Sequence, residues 1–334
     1  MNSKQLHAIC TSLELGKPVS LPIKLHGGLL HMMWRVDTER GSYAIKQLSK
    51  NIKLTLEVRK SYEISERVAR QFSIRGIPAI SGIEKDGKFL VDLENDTFLI
   101  YPWVEAIILD RNAVSTLQAV KIGTLLAKMH LLNLHVPEIE SPKYDIHSNE
   151  EIMTLIENSV EMSLPFANKL QQSSSLLVKW NNEYQQAIHS FTDISVISHA
   201  DLDQKNVLWD ENDNPILIDW ESVRALNPTY ELLIAALDWS GATSGALNVG
   251  LFKAIIAAYK KAGGTIDLAT LNDNFYGIPG NGISWMVYNI RRSFNMEAEE
   301  KELGIEQVNQ ALKNMTYLAN KVKDLKMIVG TLDI

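Results

Sequence analysis

A single cysteine in 334 residues excludes an internal disulfide and any metal site built on clustered cysteines. Cys10 lies at helical spacing from Leu6 and Leu13, so a packed thiol is expected rather than a nucleophile. No apolar run approaches the length of a membrane span, and the opening MNSKQLHAICTSLELGK lacks the compact apolar core of a secretory signal. A cytoplasmic protein with no membrane partner is therefore expected. Aromatic residues make up 7% of the chain and are nowhere interleaved with a basic patch, which disfavours nucleic acid as a partner. Internal repeats and low-complexity tracts are absent as well.

What is present suffices for a large core: 46% of the residues are apolar, and the length suits two domains or lobes. Charge is unevenly spread. Residues 1 to 103 hold 15 Lys and Arg against 11 Asp and Glu, which leaves 18 against 29 for the remainder of a chain whose net charge is −7. A cationic front and an anionic back suit a protein that takes a polyanion in one part and a neutral or cationic acceptor in the other. A surface charged only for solubility would give the same totals.

The chain turns on residues 198 to 221, SHADLDQKNVLWDENDNPILIDWE. Val196 and Ile197 lead His199 and Asp201 into a polar loop, and Val207 to Trp209 return as a short strand. Asp210 to Asn214 supply a turn, and Ile216 to Ile218 form a buried strand ending at Asp219. Such a hairpin brings Asp201, Asn206 and Asp219 to one mouth. A carboxylate open to an acceptor can receive a hydroxyl proton, while an amide and a second carboxylate are oxygen ligands suited to magnesium on nucleotide phosphates. His199 is read as structural, and Trp209, Trp220 and Glu221 as packing or supporting residues.

The offsets, Asp-x4-Asn and then Asp thirteen residues later, match the catalytic loop and metal-binding segment of the protein-kinase-like superfamily. The wording His-x-Asp-x4-Asn-Val-Leu-Trp with Ile-Asp-Trp-Glu resembles the aminoglycoside phosphotransferase and choline kinase branch. Upstream, Gly27-Gly28 between two strand patterns would let backbone amides approach phosphate. Tyr43-Ala44-Ile45-Lys46 on the next strand resembles the Val-Ala-Ile-Lys of kinases. On the helix expected over Leu54 to Phe72, the apolar stripe leaves Glu66 at its edge as the partner for Lys46, with Glu63 in reserve. Tyr101 and Trp103, flanking Pro102, are the backbone candidates for reading an adenine edge, since proline has no amide proton.

The resemblance implies an α+β, protein-kinase-like two-lobed fold. An N-terminal five-stranded antiparallel sheet with one helix would occupy residues 1 to 103, and a mainly helical lobe residues 104 to 334. It further implies transfer of the γ-phosphoryl group of ATP, with Mg2+, to a hydroxyl of a small molecule. Asp201 would be the base, Asn206 and Asp219 the metal ligands, and Lys46 and Glu66 the pair positioning phosphate. Departures are small: Ala200 stands where many relatives carry glycine, and Asp203 and Gln204 where others have histidine and proline. The segment from Asp219 to Asn227 is too short for a protein kinase's activation segment, so a protein substrate is disfavoured. An aminoglycoside-type acceptor is favoured. A metabolic acceptor such as choline, homoserine or a sugar stays open, as does a catalytically silent nucleotide-binding protein.

Overall fold

The computed structural model describes residues 1–25, 31–110, 113–139, 141–191 and 194–331. Following the chain, α1 (Ser3–Ser12) precedes β1 (Ile23–Leu25), β2 (Met32–Thr38), β3 (Gly41–Gln47), α2 (Leu56–Ser73), β4 (Val91–Leu93), β5 (Asp96–Pro102) and β6 (Ile107–Ile108). Next come α3 (Thr116–Leu132), α4 (Asn149–Glu161), α5 (Ala167–Phe191), β7 (Val196–Ser198), β8 (Val207–Trp209), β9 (Pro215–Leu217) and β10 (Arg224–Leu226). Five helices close the chain: α6 (Pro228–Trp239), α7 (Val249–Lys261), α8 (Leu271–Ser293), α9 (Ala298–Ala319) and α10 (Val322–Thr331). The chain divides into two compact units. Unit 1 comprises Met1–Leu109 with Lys205–Val223, and unit 2 comprises Asp110–Gln204 with Arg224–Ile334.

Unit 1 is built on an antiparallel sheet of five strands in the order β1-β2-β3-β5-β4. Alternation along the strands gives the sheet two faces. Val36, Ile45, Phe98 and Ile100 point to one face, where Leu6, Ile9 and Cys10 of α1 cover them. Cys10 is thus a packed thiol. Lys46, Leu99 and Tyr101 point to the other face, where Tyr62 and Val58 of α2 join the packing. Asn2 caps α1 through a capping box with Gln5, and Thr55 caps α2. Residues 205–223, expected with the second lobe, belong to unit 1, because β8 pairs with both β6 and β9 and Leu217 exchanges backbone hydrogen bonds with Pro78 and Ile80. Residues 79–84 form no strand, because they meet β9 and β5 only at single bonds.

Unit 2 is mostly helical. Ile152 of α4, Trp180 of α5, Met286 and Ile290 of α8 and Val308 of α9 share a buried cluster, with Phe166 from the link before α5. α4 and α5 are parted at residues 162–166, where Ser163 adopts φ +53° and Pro165 has no amide proton. α9 and α10 are parted after Ala319, at Asn320 and Lys321. Asn227 caps α6 and Pro228 occupies its first turn.

At Gly123, α3 lies so close to α7 that an added Cβ would come within 2.3 Å of the Ile255 carbonyl oxygen. Helix propensity alone would make Gly123→Ala stabilising by about 1 kcal/mol. Overpacking should reverse the sign, costing roughly 1–3 kcal/mol, and a lowered urea midpoint checks it. An unchanged or raised midpoint would show that the two helices part freely.

Candidate active site

Lys46 on β3 is 6% exposed, and a buried ammonium has to be neutralised. Its Nζ lies 2.7 Å from Asp219 Oδ1 and 2.8 Å from Glu221 Oε2. Burial by itself would lower the lysine's pKa, but the two carboxylates outweigh it and hold the pKa well above its ordinary value. Both acids come from one short turn. Asp219, two residues past the end of β9, adopts φ +61°, and Trp220 to Ser222 form a single 3-10 turn. Trp220 points away from the two acids and stacks on Phe72 of α2 with ring centroids 5.1 Å apart. A buried tryptophan between two carboxylates thus anchors the pair.

Glu221 is fixed from a second side. His31 Nε2 lies 3.2 Å from Glu221 Oε2, while His31 Nδ1 accepts the Ser49 N–H at 3.1 Å. A backbone amide can only donate, so Nδ1 is unprotonated and the ring proton sits on Nε2, facing the carboxylate. Burial would raise the Glu221 pKa, yet the His31 hydrogen bond and the Lys46 charge bring it down to about 2. Asn206, 3% exposed, directly precedes β8, and its carbonyl accepts the Ile218 N–H at 3.0 Å. The β8–β9 register therefore sets Asn206 beside the residue that precedes Asp219.

Glu66 does not pair with Lys46. It accepts the Gly82 N–H and the Tyr101 hydroxyl, each at 2.6 Å, and ties α2 to the sheet and the segment before β4. Glu63, the reserve, accepts the amides of Phe89 and Leu90 at 2.9 and 3.1 Å. The helical stripe correctly turned Glu66 inward, but whether a lysine or a tyrosine meets it is decided by side-chain reach across the sheet.

The adenine-edge assignment also changes. The Trp103 N–H is donated to Ser42 O at 3.0 Å, and Leu48 N–H to Thr97 O at 2.9 Å. Alternation along the antiparallel ladder then makes Ala44 and Tyr101 a hydrogen-bonding pair, so neither the Tyr101 nor the Trp103 amide is open to a ligand. The Pro102 carbonyl is turned away from β3 instead. Trp103 contributes through its ring, over which the Arg35 guanidinium lies at 4.6 Å. Gly27 and Gly28 lie outside the described residues.

Asp201 belongs to unit 2, where α6 and its neighbours hold the loop around it. Glu231 Oε1 accepts the Ala200 N–H at 2.8 Å, and Glu231 Oε2 meets His130 Nε2 at 2.7 Å. His130 Nδ1 in turn meets the Tyr259 hydroxyl at 2.8 Å. Trp239 Nε1 donates to Leu202 O, and Gln204 Nε2 to Asp238 O. Ala200 needs this support, because its φ of +65° is a left-handed conformation that glycine takes without strain. His199 is fully buried, as a structural histidine would be. His31 and Glu231 are the positions that reading the sequence missed, and Glu221, read there only as a packing or supporting residue, is a direct partner of Lys46. The only signal for Glu221 was its spacing, two residues from Asp219 across a tryptophan.

An antiparallel sheet carrying a buried lysine, followed by a mostly helical part whose first strands bracket an Asp-x4-Asn loop, defines a kinase-like phosphotransferase. The model of the phosphotransferase enzyme family, APH, matches residues 23–264, and the chain belongs to that family. Family members transfer phosphoryl groups to hydroxyls of small molecules, and this chain is a phosphotransferase of that kind. A homoserine kinase of Neisseria meningitidis serogroup B is 25% identical over 264 residues, covering 78% of this chain and 79% of that protein. Among solved structures, spectinomycin phosphotransferase APH(9)-Ia, in complex with ADP and spectinomycin, superposes with a TM-score of 0.70 at 15% identity, over 96% of this chain and 99% of that one. Choline kinase LicA from Streptococcus pneumoniae gives 0.58 at 15% identity, over 94% and 99%. At such identities these structures speak for the fold alone. Among the described residues no helix is long and apolar enough to cross a membrane.

Burial pushes the Glu66 pKa up to about 7 from an ordinary 4.5, against the hydrogen bonds from Tyr101 and Gly82 and the Lys46 charge. The folded protein thus holds this proton more tightly than the unfolded chain, and the stability it brings is complete below about pH 4.5 and lost as the pH rises through 7. Glu66→Gln stays neutral throughout. Its melting temperature should therefore rise relative to wild type between those two pH values, and a pH-independent difference would contradict an abnormal acid at this position.

Proposed function

We propose that the protein is a kinase that moves the γ-phosphoryl group of ATP, bound with Mg2+, to a hydroxyl of a small metabolite. The observation that carries this reading is the grip of Asp219 and Glu221 on the buried Lys46, with Asn206 in the adjoining strand pair. The first 103 residues would supply the nucleotide lobe and the rest the catalytic and acceptor lobe, with 205–223 contributing to the first.

The donor set suits magnesium: an amide oxygen and two carboxylates are hard oxygen ligands, and both acids keep about a third of their side-chain surface open. Among the described residues no three His, Cys, Asp or Glu side chains form a metal cluster by themselves. The remaining positions would fall to phosphate oxygens and water, as is usual for this ion with nucleotides. Magnesium bound there would neutralise charge on the phosphates. Lys46, drawn off its carboxylates, would hold the phosphates, and the Pro102 carbonyl with the Val104 amide would take the adenine edge. As the acceptor oxygen bonds to the γ-phosphorus and the bond to the bridging oxygen breaks, ADP leaves with that electron pair and Asp201 takes the hydroxyl proton.

Two acceptor classes compete. The aminoglycoside type favoured from the sequence is supported by fold likeness at 15% identity, whereas the relative at 25% identity is a homoserine kinase. We favour the metabolic acceptor. A cytoplasmic site of action accords with dependence on ATP.

Asp201→Asn should lower turnover by roughly 10²-fold or more while leaving nucleotide affinity nearly unchanged. Asp219→Ala should instead weaken binding of the magnesium–nucleotide complex in calorimetry. Full turnover by the first variant would remove Asp201 as the base, and unaltered binding by the second would remove the metal site.

A further inference from the structure

The positive charge of the first part of the sequence is not accounted for by the phosphoryl-transfer site. There one lysine faces two carboxylates, a local excess of negative charge, yet residues 1 to 103 hold 15 Lys and Arg against 11 Asp and Glu. Several of these cations are answered by nearby acids: Lys4 by Glu94, Lys50 by Asp96, Arg70 by Glu84 and Lys85 by Glu14. A surplus collects in a cleft of about 270 Å3 within unit 1, between α2 and residues 87–92, which lead into and through β4. Four cations, Arg59, Lys60, Arg67 and Lys88, and two acids, Glu63 and Asp92, line it.

The periodicities of the two walls bring these groups together. Arg59, Glu63 and Arg67 recur every fourth residue and share one face of α2, while Lys88, Leu90 and Asp92 recur every second residue and share one side of an extended segment. The two acids fasten the walls to each other. Glu63 accepts the amides of Phe89 and Leu90 at 2.9 and 3.1 Å, and Asp92 pairs with Arg59 and accepts the Thr97 hydroxyl at 2.7 Å. Both carboxylates are thus engaged, and no ion pair closes on Lys60 or Lys88 among the described residues. At the rim, Asp86 and Gly87 form a turn with φ of +52° and +77°. Lys85 and Lys88 exchange both backbone hydrogen bonds across it, which leaves the Gly87 N–H outside the ladder. A Cβ at Gly87 would meet nothing within 4 Å, so the wall there is open backbone, and Asp86 at the tip does not line the cleft.

We propose that this cleft binds a small phosphate monoester at a site separate from that of phosphoryl transfer. Four cations less two acids give the lining a charge of +2, which complements a phosphate monoester, close to doubly charged at neutral pH. Lysine ammonium groups and arginine forks are the side chains that take phosphate oxygens, and an open backbone N–H adds a donor of the same kind. Leu90, 8% exposed, supplies an apolar contact for the ester carbon. The volume lies near the lower end of the range for small-molecule sites, enough for the phosphate and a short organic remainder. The site stands on these side chains alone and does not depend on which acceptor the enzyme phosphorylates.

Calorimetric titration of the full-length protein tests this, with glycerol 3-phosphate as the probe and acetate and glycerol as the singly charged and neutral controls. A non-hydrolysable ATP analogue with magnesium is added first, so that phosphate binding at the transfer site does not contribute. Glycerol 3-phosphate should bind, and both controls should bind at least about ten-fold more weakly, the scale of one charged hydrogen bond. Lys60→Gln combined with Lys88→Gln, at two exposed positions, should weaken glycerol 3-phosphate by a similar factor while the melting temperature and the nucleotide affinity stay unchanged. No binding of glycerol 3-phosphate, binding indifferent to the double substitution, or acetate bound equally well overturns the inference, and none of these bears on the kinase reading. Repeating the titration without the nucleotide analogue should show the same lysine-dependent binding, so the result holds whatever becomes of that reading.

Discussion

The structure of unit 1 depends on one buried cation. An ammonium that keeps 6% of its surface in solvent would be too costly alone, and two carboxylates from a three-residue turn answer it. That arrangement imposes demands in several directions. β9 must end at Leu217, two residues before Asp219, Trp220 must be buried, and α2 must offer Phe72 for it to stack on. His31 must reach Glu221 from the strand side. One lysine and two acids also leave the cluster with an excess negative charge. A bare nucleoside triphosphate would be repelled by it, which favours the magnesium complex as the proposed donor.

Unit 2 solves a related problem with a different buried acid. The backbone before Asp201 is bent into a left-handed conformation at an alanine, costing of order 1 kcal/mol. Glu231 offsets that by accepting the Ala200 amide, and it is itself held ionised despite burial by hydrogen bonds from His130, Ser198 and Ala200. A carboxylate can only accept, so the His130 Nε2 carries the proton and Tyr259 completes the chain on the opposite nitrogen. The three residues lie on α6, α3 and α7, and the last two are the pair that meets closely at Gly123. Helix packing and loop geometry in this unit are therefore one construction.

Charge is partitioned by the same logic. The cationic first part of the sequence spends Arg59 and Arg70 on local acids, Asp92 and Glu84, and keeps Lys46 for the site. The acidic remainder contains few arginines, and Arg224 stands apart among those described in having an Nε that is buried without a partner.

The amino-acid sequence alone determined the kind of fold and the candidate oxygen donors, because the patterns that mark both are local. A period-2 pattern fixes which strand residues share a face, an Asn-Pro start fixes α6, and Asp-x4-Asn with a later Asp fixes oxygen donors on one loop and hairpin whatever surrounds them. Tertiary structure decided which of those groups touch. Glu66 was legible as an inward-facing acid, but its partner is Tyr101 and not Lys46, and the true partners of Lys46 lie about 170 residues further along. The Trp103 amide looked available until the β3–β5 register consumed it. Glu221 was legible only as a supporting residue, and His31 and Glu231 carried no signal in the sequence. Their roles arise from burial and from neighbours distant in the chain, and neither is encoded by spacing along it.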